Sequence, residues 1–187
     1  MSDYRRYFVP GGTYFFTVVT HLRSRFLSDD IARDCLRDAL ETIQAKRPFE
    51  IQAIVLLPDH LHTIWTLPRG DAAYPVRWRR IKQEFTERYL AAGGREGPRS
   101  ASRKQRKERG IWQRRYWEHT IKDEEDFERH FDYTHYNPVK HDWVPCPKDW
   151  PHSSFHRWVA AGVYPQDWGC AANGPLDFSD LDESAME

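Results

Sequence analysis

Long apolar runs are missing from this chain of 187 residues. Stretches such as IVLL at 54–57 fall far short of the roughly 20 residues a membrane-spanning helix needs, so the sequence reads as that of a soluble protein. Cysteine is scarce as well. Cys35, Cys146 and Cys170 stand far apart and form no CxxC pair, which speaks against a cysteine-rich zinc site and a disulfide framework and reads as three reduced thiols. The N-terminal segment around Arg5 and Arg6 lacks an apolar core and a small-residue cleavage site, so no secretory signal is readable and a cytoplasmic location is expected. There is no internal repeat, and the length suits one domain with a tail.

Net charge is also absent, with 28 basic and 28 acidic side chains, but the balance hides an asymmetry. From Tyr164 onward the chain holds six acids (Asp167, Asp177, Asp180, Asp182, Glu183, Glu187) and no Lys or Arg, leaving 28 basic against 22 acidic side chains, a net +6, before it. We therefore divide the chain into a main domain at 1–163 and an acidic C-terminal tail at 164–187, extended or disordered from Asn173. The densest basic run is Arg103, Lys104, Arg106, Lys107, Arg109, Arg114 and Arg115 against the single acid Glu108. Such density suits successive phosphates of a nucleic acid, although it also suits a solvated loop. Trp112 and Tyr116 within it offer stacking surfaces for unpaired bases or, equally, core rings. The tail, with Trp168 and Phe178, is expected to compete with DNA for this basic groove.

The elements follow from periodicity. Residues 13–21 (TYFFTVVTH) read as a strand after Pro10-Gly11-Gly12. Ile31, Cys35, Leu36, Leu40 and Ile43 then mark a helix ending near Arg47-Pro48. Residues 49–57 and 60–67 form a hairpin around Pro58-Asp59. Trp78, Ile81, Phe85 and Tyr89 mark a second helix closed by Gly93-Gly94, and 91–110 reads as a mobile loop. A short fourth strand within 111–121 precedes a helix from about Asp123 that Pro138 limits. The fold class is α+β: a ferredoxin-like split β-α-β-β-α-β antiparallel sheet, with an additional catalytic helix on the opposite face.

Two constellations carry chemistry. His60 and His62 in LPDHLHTIW alternate along a strand, so both imidazoles leave the same face, about 7 Å apart at ~3.3 Å per residue, and can share one divalent cation. In DYTHYNPVKH, Tyr133 and Asn137 are spaced i, i+4 on one helix face, with His130 a turn earlier. A phenol there is a candidate nucleophile for a phosphodiester, and an amide a candidate third ligand.

Five ordered segments, YRRYFVPGGTYFFTV, LPDHLHTIW, WQRRYWEHTI, DYTHYNPVKH and DWPHSSFHR, spanning residues 4 to 157, resemble the REP-associated tyrosine transposases. These are a branch of the HUH single-strand DNA nucleases related to single-tyrosine insertion-sequence transposases. The resemblance implies that His60, His62 and Asn137 are metal ligands for Mg²⁺ or Mn²⁺, and that Tyr133 is the nucleophile forming a 5′-phosphotyrosine link. Asn137 stands where related transposases place a Gln, a longer amide. Tyr116 is the rival nucleophile, without an i+4 amide partner. The resemblance further implies REP-type single-stranded DNA hairpins as substrate. Arg5, Arg6, Arg103, Lys104, Arg106, Lys107, Arg114 and Arg115 are candidates for holding the strand. The expected protein is a cytoplasmic, nucleoid-associated monomer or weak homodimer. The alternatives are a catalytically silent hairpin-binding module and an unrelated metal-dependent hydrolase that uses water.

Overall fold

Strand β1 (Thr13–Val19) is buried along nearly its whole length, which a strand can be only when its sheet is covered on both faces. Its aromatic and β-branched residues divide by parity. Tyr14, Phe16 and Val18 enter one core, and Phe15 enters another on the far side. The computed structural model describes residues 7–181, so Arg5, Arg6, Asp182, Glu183 and Glu187 lie outside the described residues.

The described elements run β1, α1 (Asp30–Lys46), β2 (Glu50–Leu56), β3 (His60–Thr66), α2 (Tyr74–Ala91), α3 (Ala101–Gln105), β4 (Trp117–Thr120), α4 (Glu124–Lys140) and α5 (Phe155–Ala160), with three short 3₁₀ turns. The strands form one sheet in the order β2-β3-β1-β4, every neighbouring pair antiparallel. This is the split β-α-β-β-α-β arrangement, with α1 and α2 on one face and α4 on the other. On the first face Trp78 of α2 stacks on Trp65 of β3, ring centroids 4.2 Å apart, and Ile81, Phe85 and Tyr89 follow it into the core. From α1, Cys35, Leu36, Leu40 and Ile43 are buried, whereas Ile31 in its first turn stays 48% exposed, before the helix reaches the sheet. Buried Arg77 is neutralised by Asp71, with nitrogen to oxygen distances of 2.7 and 3.0 Å, and also donates to the carbonyls of Arg47 and Pro48.

On the second face α4 begins at Asp123, whose carboxylate caps the Asp126 N–H at 2.9 Å, with Glu124, Glu125 and Asp126 in the first turn favoured by the helix dipole. Pro138 lies inside the helix and does not stop it: only the final turn follows, so the hydrogen bond that the proline cannot donate is lost where the helix is ending anyway.

Three expectations are corrected. The 91–110 stretch is not a structureless loop: Ser100 caps α3, the Arg103 guanidinium donates to the carbonyls of Arg109 and Trp112, and Gly97 N–H pairs with the Gly110 carbonyl. The cysteines are not all free. The loop after α4 approaches the C-terminal segment, and Cys146 and Cys170 form a disulfide with their Cα atoms 4.1 Å apart, a proximity that 24 residues of separation conceal. The stretch from Tyr164 packs rather than trailing away: Tyr164 and Phe178 are buried against α4, with Trp168 packed beside them.

His135 sits at the centre of this second core. Its Nε2 lies 2.8 Å from Ser154 Oγ and its Nδ1 3.3 Å from the Tyr164 hydroxyl, which donates to Asp132 at 2.6 Å. Burial, the dominant cause, pushes the imidazole down to about 3. The unfolded chain therefore takes up a proton near pH 6.5 that the folded one refuses. The contribution to stability is whole above pH 6.5 and falls as pH drops towards 3. Going from pH 7 to pH 5 costs about 2 kcal/mol from this residue, at ~1.4 kcal/mol per pH unit. Urea unfolding at the two pH values checks it, and His135→Gln should reduce the difference by about that amount.

Candidate active site

Because β3 is antiparallel to β1, with Val19 opposite His60 and Thr17 opposite His62, both histidines lie on the α4 side of the sheet in line with Phe15 and Ile64. Their ring centroids are 4.9 Å apart, closer than strand rise alone suggests, because the side chains converge. Both rings are buried. Each is oriented by its inner nitrogen: His60 Nδ1 contacts Asp59 Oδ1 at 2.7 Å, and His62 Nδ1 contacts Thr17 Oγ1 at 2.9 Å. Asp59 also accepts from Arg23 at 3.1 Å. Burial raises the Asp59 carboxyl, but the hydrogen bonds and charges of His60 and Arg23 outweigh it and bring it down to about 2. His62 is held neutral, well below the usual imidazole value, first by burial and then by the cations around it.

The face of α4 opposite this pair carries Tyr133 and Asn137 one turn apart, followed after another turn by the capping residue His141. The Tyr133 ring stands edge-on to His62 at 5.4 Å, and the His141 ring is 5.4 Å from His60. Asn137 lies between these two contacts along the helix and is fully buried. The Lys140 ammonium reaches the Tyr133 hydroxyl at 3.4 Å and sits 5.1 Å from its ring centre. The outward nitrogens Nε2 of His60 and His62, and both amide atoms of Asn137, are buried with no hydrogen-bond partner among the described residues. Orphaned buried polar atoms are costly. Here two imidazoles and an amide have their donor atoms unspent, and the second nitrogen of each ring is locked, which is the donor set and outer shell of a divalent cation site. The residues fit such an ion.

The chain covers the phenol with its own C-terminal segment. Phe178 packs edge-on to Tyr133 at 5.5 Å and beside Tyr136 at 5.6 Å, and Arg129 holds it by cation–π contact at 5.0 Å and by an ion pair to Asp180. The acidic segment thus occupies the α4 side, not the basic run where competition was expected.

That basic run divides. Arg103 is buried and spends its guanidinium on two carbonyls, so it ties the loop together instead of meeting DNA. Arg114 is paired with Glu108 and Ser102. Lys104, Arg106, Lys107 and Arg115 are exposed. Trp112 and Tyr116 pack with the α1/α2 core, across the sheet from His62, which removes Tyr116 from the vicinity of the pair. The run leaves the sheet where Gln113 N–H meets the Val19 carbonyl, the end of β1 that pairs with His60. Sequence reasoning missed Asp59, Thr17, Lys140 and His141. Asp59 alone had a local signal, a carboxylate directly before the first histidine.

Among known proteins, a REP-associated tyrosine transposase of Escherichia coli strain K12 is 46% identical over 180 residues, covering 96% of both chains. The chain belongs to the REP-associated tyrosine transposase family. A second relative, from Haemophilus influenzae, is 46% identical over 169 residues, covering 90% of this chain and 94% of its own. The structure of a family member bound to a REP hairpin superposes with a TM-score of 0.80 at 44% identity, covering 100% of this chain and 98% of that one. No family model matches the chain. As a member of this family, the chain is an enzyme of the transposase class. Among its described residues no helix is long and apolar enough to cross a membrane.

If Asp59 and Thr17 orient the pair for an ion, Asp59→Asn and Thr17→Val should each weaken Mn²⁺ binding at least tenfold, the usual cost of losing an outer-shell partner. Isothermal titration with Mn²⁺ measures it, and unchanged affinity would remove the two residues from that role.

Proposed function

We propose that this family member cleaves and rejoins single-stranded DNA beside REP-type hairpins, with Tyr133 as nucleophile. The observation that carries the reading is that the Tyr133 ring stands edge-on to His62 at 5.4 Å, beside a pair of histidines whose buried Nε2 atoms have no partner among the described residues. The relative bound to a REP hairpin supports the choice of substrate.

The Tyr133 oxygen would attack a backbone phosphorus in line with the departing O3′. The P–O3′ bond breaks, the phenol gives up its proton to solvent while the departing O3′ takes one from solvent to leave as a free 3′-OH, and a 5′-phosphotyrosine ester keeps the energy of the phosphodiester in the protein link. Attack by a 3′-OH reverses the step and rejoins strands, an option that hydrolysis would discard. A free phenol titrates near pH 10, so its deprotonation needs help, and the Lys140 ammonium lies 3.4 Å from the hydroxyl. His60, His62 and Asn137 would hold the divalent ion, Mg²⁺ or Mn²⁺, which when bound polarises the phosphate and offsets its growing charge. Thr17 and Asp59 keep the imidazoles presented to it. Arg5, Arg6, Lys104, Arg106, Lys107 and Arg115 would hold the flanking strand by its phosphates. The same reading places the protein in the cytoplasm on chromosomal repeats, as a monomer or weak homodimer.

A silent hairpin-binding module is disfavoured because binding alone gives no reason to keep four orphaned polar atoms buried beside a tyrosine. Incubation with labelled hairpin single strands and Mn²⁺, followed by a denaturing gel, separates the readings. We expect a covalent protein-DNA band that is absent in Tyr133→Phe and retained in Tyr116→Phe. Cleavage persisting in Tyr133→Phe would point to water as the nucleophile, and binding without cleavage to the module.

Since Phe178 lies on Tyr133, the C-terminal segment must move before DNA reaches the phenol. Truncation after Gly174 removes Phe178 and Asp180 while leaving Tyr164, Trp168 and Cys170 in the core, and should raise the cleavage rate several-fold in the same assay. An unchanged rate would mean that the cover does not limit access.

A further inference from the structure

A second group of ligand-bearing side chains lies on the other side of Phe15 from the histidine pair. His119 belongs to β4, opposite Phe15 in the sheet, and Asp126 and His130 occupy the first two turns of α4 at i, i+4 spacing. The Phe15 ring stands 5.0 Å from His130 and 5.4 Å from His62, so it forms a wall between the two groups. We propose that His119, Asp126 and His130 form a second divalent transition-metal site, separate from His60, His62 and Asn137.

The geometry comes from three contacts. His119 Nε2 lies 2.8 and 3.0 Å from the two carboxylate oxygens of Asp126, and His130 Nδ1 lies 3.0 Å from Oδ1. One ligand atom from each residue can be chosen so that all lie within 4.8 Å of one another. Around an ion with bonds of ~2.0 to 2.2 Å, donors at right angles stand about 3 Å apart, so these separations are those of neighbouring ligands on one coordination sphere. The two imidazole planes are 12° from parallel with centroids 4.4 Å apart, which brings both nitrogen edges to the same carboxylate.

Surroundings agree. The Lys122 N–H donates to Asp126 Oδ2 at 2.8 Å, fixing the carboxylate from the backbone, and the Asp126 carbonyl lies 2.8 Å from His130 Nδ1, fixing that ring. The second contact means that ligation through Nδ1, the nitrogen that faces the carboxylate, would replace a hydrogen bond to the helix backbone. The His130 side chain is 3% exposed, while Asp126 and His119 are 16% and 23% exposed, so an ion can enter from solvent and keep water on its open positions. Two imidazoles and one carboxylate select a borderline transition ion such as Zn²⁺, Mn²⁺ or Co²⁺ over Mg²⁺ or Ca²⁺, which prefer all-oxygen cages.

The test is titration of the untagged full chain with Co²⁺ alone, read by its visible d–d absorption and by ion stoichiometry after gel filtration. We expect two ions in the wild type and one in His60→Ala/His62→Ala. His119→Gln or Asp126→Asn in that background should then weaken the remaining ion at least tenfold. His119→Gln alone should lower the wild-type stoichiometry from two to one, which serves if the double variant does not fold. A wild type that binds one ion and loses it with His60 and His62, or a second ion indifferent to both His119→Gln and Asp126→Asn, overturns the proposal. The histidine-pair arm reports separately on the site proposed for cleavage, so either assignment can fail without the other.

Discussion

The packing of one face of α4 on one edge of β3 is the constraint from which the rest follows. Tyr133, Asn137 and His141 recur at successive turns, and His60 and His62 at alternate strand positions. A helix turn advances about 5.4 Å and two strand residues about 6.6 Å, so the two rows stay in step over this short distance. Phe15 is the spacer that sets their separation: it meets His62, Tyr133 and His130 at once. Shifting β3 by one residue would turn both histidines into the α1/α2 core and leave Leu61 facing Tyr133. Register here is a chemical requirement as well as a packing one.

Burial gives the site its character and its cost. Inside a sheet covered on both faces, burial holds His62 well below the usual imidazole value, which favours the neutral ring with its lone pair free. The same burial makes each unspent polar atom expensive, so His60, His62 and Asn137 are compensated only by something that binds them. Asp59 works in the opposite sense, remaining ionised down to about pH 2 and holding its hydrogen bond to His60 through the whole functional range.

Much of this was legible in the sequence, but unevenly. The strand and helix periods placed His60 with His62 and Tyr133 with Asn137, because each pair depends on local geometry alone. That the two pairs meet was carried by the ordered family motifs and not by any spacing. Thr17 and Lys140 could not be read, because a threonine and a lysine at those positions carry no period and acquire their roles only through β1 pairing and the closing turn of α4. Cys146 and Cys170 lie outside the strands and long helices, and nothing in their spacing shows that the loop after α4 and the C-terminal segment approach one another. Arg103 shows a different limit. Charge density counts a guanidinium equally whether it faces solvent or, as here, two backbone carbonyls.

The C-terminal segment ties these points together. Its acidity suggested an electrostatic rival for the basic loop, but net charge does not say where a segment docks. Phe178 docks on rings of α4, against Tyr133 and Tyr136, and Asp180 beside it pairs with Arg129. Apolar contact chooses the site, and charge then fixes the orientation. Because the Arg129 pair is partly exposed, it contributes little on its own, and the hold on the phenol rests mainly on the buried ring. A strand of DNA competing for this surface would thus have to displace an aromatic contact before any phosphate could reach Tyr133, whatever the salt concentration.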